Sequence, residues 1–473
     1  MLEIGKIKNT LLNGHALDVI KNIPDESIDM VITSPPYFAL RNYETISRMW
    51  GGDPECNHEW VDIRKVCSGG LGRKQDTSKG SWYDRNVKYC MKCTGYQGEL
   101  GLEPFFGNKT IDVDGKQLVF RGYISHLVDI FDEVKRVLKP TGTFFLNIGD
   151  TYYGGNKNEG GLESALRNKQ GTNKGSFGNI GGSLFKNKEL PDKCLCMIPQ
   201  RIAIEMMDRG WILRNNLVWH KSNSFPNPAR DRFGMNWENV FLFSKKSSYY
   251  FEQQFESCAG TERTQDVFSD DYTDDKLTRI MRCVWSIPIE PFSAKKVGID
   301  YTDHFAAFPK KLIETPIRAG CPEFVCKSCG KPRFPIYKTE KVSRNRETPF
   351  TQPTLDRSKS PNDYKGTKIL GVEYSDCGCN AGFEAGIVLD IFMGTGTVAV
   401  VSSLLKRNWI GIEISPEFCH ITQRRLEVDV RIQNTQILDK YGNKVKDERS
   451  CESCVVQYCM LRTFNDPCPK WKV

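Results

Sequence analysis

The sequence predicts an α/β fold built around a mixed β-sheet, and three observations carry that expectation. Seven short apolar runs bounded by turn residues read as strands: Asn9 to Leu12, Asp29 to Thr33, Thr143 to Ile148, Ile212 to Trp219, Asn239 to Phe243, Ile387 to Phe392 and Trp409 to Glu413. Segments of helical period lie between them, and this alternation is the grammar of helices packed on a sheet. The 473 residues also exceed what one core serves, so at roughly 150 residues per domain a large domain with appendages is expected.

Each helix has its own local reason. Ile124, Leu127, Val128, Phe131, Val134 and Leu138 recur at a spacing of three and four, and Pro140 with Gly142 stops that helix before the next strand. An apolar helix over Val398 to Leu405 follows a glycine turn. Ser415 and Pro416 stand where an N-cap and first helical residue belong, opening a last helix through about Leu426. The interruptions differ in kind. Gly154 to Lys188 is rich in Gly, Asn and Lys and reads as a long loop, Cys258 to Asp275 is acidic, and Lys331 to Lys368 is basic and proline-bearing, an extended DNA-facing arm or a solvated linker.

Composition narrows the function. With 66 Lys and Arg against 58 Asp and Glu, the net charge is +8, which suits an anionic partner without resembling a nucleic-acid tail. The 39% hydrophobic and 11% aromatic content excludes a disordered or fibrous chain. No apolar run reaches the roughly 18 residues needed to cross a bilayer, and the N-terminus lacks a secretory pattern, so a cytoplasmic protein is expected. Eighteen cysteines in a reducing compartment are then read first as metal ligands.

Two motifs carry chemistry. Thr33-Ser34-Pro35-Pro36-Tyr37 follows an apolar strand. Two prolines stiffen that turn and supply no N–H, Ser34 adds an acceptor, and Tyr37 adds a flat face on which a base can stack. An ordinary polar turn is the plainer alternative. Asp390-Ile391-Phe392-Met393-Gly394-Thr395-Gly396-Thr397 joins a strand to a helix, and Glu413 ends the next strand. Glycines there let a ligand approach the backbone, and an acidic residue at the neighbouring strand end suits ribose hydroxyls. The spacing lacks the third glycine of a dinucleotide site, which disfavours a nicotinamide-dependent oxidoreductase.

Together these motifs resemble those of the β-group S-adenosylmethionine-dependent DNA amino-methyltransferases, in which the catalytic motif precedes the cofactor motif. The resemblance implies a seven-stranded, Rossmann-like mixed-sheet methyltransferase core of permuted motif order. It assigns the target base to Ser34, Pro35, Pro36 and Tyr37. It assigns S-adenosylmethionine to Asp390, Phe392, Gly394, Gly396, Thr397 and Glu413, with the methionine part on Asp390, Gly394 and Gly396 and the ribose on Glu413. Phe308, in a segment similar to the family's motif beside the methionine end, and Asp18, after Asn13-Gly14-His15, join the cofactor set. His15 departs from the family's usual Asp, and Phe392-Met393 from its usual Pro-Phe. Trp219-His220-Lys221 resembles a further motif, which offers His220 to the base pocket or to an ordinary strand end.

The implied activity is site-specific methylation of an exocyclic amino group on a flipped base in double-stranded DNA. Serine before Pro-Pro-Tyr favours cytosine N4, with adenine N6 as the alternative. The setting is restriction-modification or phage and host DNA modification, with a cognate restriction endonuclease as the partner to seek. A catalytically inactive zinc-containing DNA-binding protein is the competing class. Structural zinc is expected because Cys326, Cys329, Cys377 and Cys379 offer four thiolates, and Cys56, His58, Cys90 and Cys93 make a second set. Cys451, Cys454, Cys459 and Cys468 form a weaker third group. The expected organisation is a discontinuous core at 1–45, 115–255 and 300–428. A Cys/His insertion at 46–114, a target-recognition or solvent-exposed insertion at 256–299, a Cys-pair insertion with its basic arm at 321–385 and a tail at 429–473 complete it.

Overall fold

The computed structural model describes residues 1–38, 47–61, 88–113, 115–153, 190–191, 193–224, 226, 229–257, 278–299, 307–343, 364–432 and 435–445. The expected loop over Gly154 to Lys188, the acidic Cys258 to Asp275, the residues 300–306 that precede Phe308 and the four tail cysteines lie outside the described residues.

All seven predicted runs enter one sheet, but among the described residues that sheet has nine strands, not seven. In chain order they are β1 (Thr10–Asn13), β2 (Ile28–Thr33), β3 (Leu138–Ile148), β4 (Ile212–His220), β5 (Trp237–Ser244), β6 (Val284–Ser286), β7 (Ile387–Asp390), β8 (Asn408–Glu413) and β9 (Ile437–Leu438). Their spatial order is β6-β4-β5-β3-β2-β7-β8-β1-β9. The two unforeseen strands, β6 and β9, have three and two residues and sit at the edges. So short a segment carries no periodic signal, and only its neighbour makes it a strand. β5 pairs antiparallel with both β3 and β4, and the remaining ladders are parallel.

Alternation along the strands feeds two cores. Val31, Phe144 and Leu146 point into one, where the helices α1 (Ala16–Ile20), α2 (Tyr123–Val137) and α3 (Ile198–Asp208) contribute Val19, Phe131 and Ile202. Met30, Ile32 and Phe145 point into the other, against Ile313 of α4 (Lys310–Gly320), Val400 of α5 (Thr397–Leu404) and Cys419 of α6 (Pro416–Arg425). Burying each such aliphatic or aromatic side chain contributes about 1.5–3 kcal/mol. The last helix starts as expected: the Ser415 hydroxyl accepts from Phe418 N at 3.3 Å, and Pro416 occupies the first turn.

The appendages differ from their expected outlines. The 46–114 segment builds a four-stranded antiparallel sheet from Arg48–Trp50, Trp60–Val61, Lys88–Cys90 and Tyr96–Gly98. It is fused to the first core, because His126 of α2 stacks between Trp50 and Tyr96 (ring centroids 5.5 and 5.4 Å) while its Nδ1 lies 3.0 Å from buried Glu103 Oε1. The 256–299 segment is divided and is no single insertion. Its Val284–Ser286 joins the main sheet, whereas Thr278–Ile280 pairs with Phe255–Ser257 on one side and with a ribbon from the 321–385 segment on the other. Within that basic stretch, Pro335–Ser343 and Tyr364–Tyr374 pair as a long antiparallel hairpin, and 344–363 lie outside the described residues. Lys338 pairs with Glu373 across the hairpin, and backbone hydrogen bonds join the two strands along their length.

Candidate active site

The two chemical motifs meet because β2 and β7 are parallel neighbours, in register Met30 to Val388 and Val31 to Leu389. Both chains therefore leave the sheet at the same edge, the carboxyl edge at which open α/β sheets bind ligands. At the junction, buried Thr33 donates its hydroxyl to Asp390 Oδ1 at 2.6 Å, and Phe392 N donates to the same oxygen at 3.0 Å. The other oxygen, Asp390 Oδ2, is buried and has no hydrogen-bond partner among the described residues. Burial pushes this carboxyl up to about 7 against the pull of the Thr33 and Phe392 hydrogen bonds.

Glu413, at the end of β8, has the same character. Its Oε2 accepts from Gly394 N at 2.7 Å and its Oε1 from Ser415 N at 2.8 Å. Burial raises it to about 7, backbone N–H groups oppose the shift, and nearby Asp390 adds to it. Its carboxylate oxygens keep lone pairs beyond these two bonds, which suits neutral hydroxyl donors. The glycines divide their work. Gly394 has φ +53° and a Cβ there would meet nothing closer than Phe392 O at 3.9 Å, so the loop leaves open space above it. Gly396 has φ +81° and a Cβ would strike the Thr422 side chain at 2.4 Å, so it serves packing. Thr397 is buried beside Arg425, Phe392 packs on the first core and Phe308 on the second.

Asp18 lies on α1 after the Asn13-Gly14 turn, and that turn touches Glu413 directly: Asn13 Nδ2 and Gly14 N both donate to Glu413 O at 2.9 Å. Its carboxylate is held by Arg48 at 2.7 Å, a residue from the Cys/His module. The same guanidinium lies 2.8 Å from His15 Nδ1, which also accepts from Leu17 N at 3.2 Å as the cap of α1. His15 thus performs the capping that the family's usual Asp could perform. Burial and the Arg48 charge push His15 down to about 4, so its ring is the neutral acceptor this geometry requires.

At the Ser-Pro-Pro-Tyr turn, Tyr37 OH donates to Glu238 Oε2 at 2.9 Å, and Ser34 Oγ donates to Tyr37 OH at 3.3 Å. Asn147 of β3 donates to the same carboxylate oxygen at 3.1 Å, and Lys221 pairs with the other. Pro35 is buried. The Pro36 carbonyl accepts from Tyr123 OH at 2.8 Å. His220 does not join Ser34 or Tyr37 in a hydrogen bond; its ring nitrogen lies 3.0 Å from Ser286 Oγ on the edge strand β6. Its neighbour Lys221 reaches the turn through Glu238.

Sequence reasoning missed Glu238, Arg48, Thr33 and Arg425. Arg425, buried on α6, donates from one nitrogen to Thr395 O at 2.8 Å and to the hydroxyls of Thr395 and Thr397, clamping the glycine loop from below. A guanidinium on the helix face that also carries Cys419 and Thr422 was the available signal. The two metal sets are brought together as expected. In each of Cys56, His58, Cys90, Cys93 and Cys326, Cys329, Cys377, Cys379, the four ligand atoms lie within 4.8 Å of one another. Backbone N–H groups of Cys329 and Ser328 draw the Cys326 thiol down to about 6, toward the thiolate that a metal needs.

A family model described as a DNA methylase, of the N6/N4 methyltransferase type, matches residues 28–324 and 381–424, well over half of the chain. The chain belongs to that family. This DNA methylase is therefore an S-adenosylmethionine-dependent amino-methyltransferase acting on DNA. Among its relatives, the Type II methyltransferase M.XycI of Xanthomonas campestris pv. cyanopsidis is 25% identical over 89% of this chain and 88% of its own. M.Cfr9I of Citrobacter freundii is 24% identical over 88% and 87%. M.SfiI of Streptomyces fimbriatus reaches 32% over half of this chain and 36% of its own. The solved PvuII DNA methyltransferase, described as cytosine-N4-specific, aligns over 91% of this chain and 94% of its own at 16% identity, with a TM-score of 0.42. Among the described residues, no helix is long and apolar enough to cross a membrane.

Proposed function

We propose that this DNA methylase transfers a methyl group to the N4 amino group of a cytosine flipped out of duplex DNA. One observation carries the reading: Thr33 binds Asp390 across neighbouring strand ends, so the turn that would hold a base stands beside the loop that would hold the methyl donor. Ser34, the Pro35 carbonyl and Tyr37 take the base in this reading, with Pro36 stiffening the turn. Asp390, Gly394 and Gly396 take the methionine part of S-adenosylmethionine and Glu413 the ribose, with Asp18, Phe308, Phe392 and Thr397 completing the surroundings. The unpartnered Asp390 Oδ2 fits a cationic ammonium, and the space above Gly394 fits a ligand packed on the backbone. The bound donor supplies an electrophilic methyl. The protein supplies alignment and a dry, oriented acceptor for an amino hydrogen, the contribution that an in-line displacement asks for. Flipping the base costs a few kcal/mol of stacking.

Cytosine is preferred over adenine on the ground of Ser34, because the family resemblance associates serine before Pro-Pro-Tyr with cytosine N4. In this reading both Cys-containing clusters hold structural zinc. Four protein ligands leave no open coordination position, so the metal cross-links each appendage and takes no part in transfer. Digestion of methylated DNA to nucleosides, followed by mass spectrometry, tests the function. N4-methylcytosine supports it, N6-methyladenine as the sole product replaces the base assignment, and no methylated nucleoside removes the activity.

A further inference from the structure

Glu238 is the second residue of β5, and its carboxylate meets the Ser-Pro-Pro-Tyr turn at Tyr37. Tyr37 OH lies 2.9 Å from its Oε2, Asn147 Nδ2 lies 3.1 Å from the same oxygen, and Lys221 from the end of β4 pairs with Oε1. Asn147 also donates to Asn239 O at 3.1 Å, which turns its own oxygen toward Tyr37 at 3.3 Å. Gly149 is needed for this packing, because a Cβ there would lie 2.7 Å from the Tyr37 ring.

The chemistry of these groups fixes the direction of every hydrogen in the chain. A carboxylate accepts only, and of the two acceptors in reach of Tyr37 OH, Glu238 Oε2 at 2.9 Å and Asn147 Oδ1 at 3.3 Å, the nearer and charged one takes its one phenolic hydrogen. Its oxygen is then left as an acceptor, and the Ser34 hydroxyl, 3.3 Å away, donates to it. With its hydrogen committed inward, Ser34 turns lone pairs outward. A serine hydroxyl alone can donate or accept with equal ease, and a donor aimed at an amino group would hold the wrong partner. We infer that Glu238 is a positioning residue that sets the polarity of the chain from Ser34 through Tyr37 to Glu238, so that Ser34 presents an acceptor to the amino group of the target base. This inference rests on the reading in which Ser34 faces that amino group. Lys221 pairs with the other carboxylate oxygen of Glu238, and its ammonium lies over the Trp219 ring at 4.8 Å, which holds it in place.

The test is incorporation of tritiated methyl into unmethylated genomic DNA by the full-length chain, at saturating cofactor. Glu238→Gln is nearly isosteric but can donate to Tyr37, so the turnover rate should fall at least tenfold while KM for S-adenosylmethionine stays within twofold. In a Tyr37→Phe background the same change should cost nothing further, because the link it acts through is already gone. Equal losses in both backgrounds, or full activity of Glu238→Gln, would overturn the inference. Tyr37→Phe, which removes the link but leaves Glu238 in place, should lower the turnover rate at least tenfold with KM for S-adenosylmethionine within twofold, and full activity of that variant refutes the proposal even where Glu238→Gln fails to fold. Ser34→Ala separates the two readings: if it methylates at the parental rate, the assignment of Ser34 fails and this inference falls with it. A slow Ser34→Ala alongside a fully active Glu238→Gln sinks the inference alone.

Discussion

Asp390→Asn separates a ligand-binding carboxylate from a structural one, and the expected magnitude follows from its hydrogen bonds. Oδ1 receives both Thr33 Oγ1 and Phe392 N, while buried Oδ2 receives nothing among the described residues. Asparagine can keep its carbonyl at the Oδ1 position, preserving both bonds, and place an NH₂ where the vacant oxygen stood. Raising a carboxyl from an unfolded value of roughly 3.9 to about 7 corresponds to about 4 kcal/mol at roughly 1.36 kcal/mol per unit. Between those two values the folded, ligand-free chain holds a proton that the unfolded chain has released. This group therefore makes the fold less stable as pH rises through that window, and the full cost is present above pH 7. The variant should accordingly melt no lower than the parent at pH 8, and its melting temperature should lose part of its fall between pH 5 and 8. Binding of S-adenosylmethionine should move the other way. In the proposed reading the ionised carboxylate holds the ammonium of the cofactor, so the parent's affinity should climb with pH and level off above about 7. The variant, lacking a charge-assisted bond worth about 1.5–3 kcal/mol, should bind roughly 10-fold to 100-fold more weakly with no such climb. Titration calorimetry and thermal melts over pH 5.5 to 8.5 measure both. An Asp390→Asn protein that binds normally, or one that melts well below the parent at pH 8, would refute the reasoning.

The remaining predictions address the glycine loop, the module contact and the metals. Gly396→Ala should lower stability by about 1–3 kcal/mol, because it adds a clash with Thr422 to a left-handed backbone. Gly394→Val should melt closer to the parent while losing cofactor affinity, and denaturant titration beside calorimetry distinguishes the two. Arg48→Ala should weaken S-adenosylmethionine binding several-fold, because it releases Asp18 and His15 together; unchanged affinity would detach the Cys/His module from the cofactor loop. Elemental analysis should find about two zinc ions per chain by the four-ligand rule, with Cys326→Ser retaining one. A fully active, equally stable preparation free of metal would remove the structural role.

What was legible in the sequence is what local chemistry encodes. Alternating apolar residues fix strands, Ser415-Pro416 fixes a helix start, and Asp390 to Thr397 fixes a glycine turn at a strand end, because each depends on neighbours a few residues away. The cysteine pairs were legible for the same reason, since each knuckle is a short turn and a tetrahedral donor set needs only two of them. Tertiary structure decided what depends on distant partners. The edge strands Val284–Ser286 and Ile437–Leu438 exist only because a sheet edge offers them hydrogen bonds. The basic stretch became a hairpin through pairing across more than twenty residues, and its sheet recruited Thr278–Ile280 from another segment. Glu238 stands 201 residues from the Tyr37 it binds, and Arg48 reaches His15 from a separate module. A charged residue's sequence neighbours give no sign of such a partner, because a single hydrogen bond across the fold leaves no periodic trace. The sequence by itself thus determined which turns could hold a base and a methyl donor, and the parallel pairing of β2 with β7 decided that they share one site.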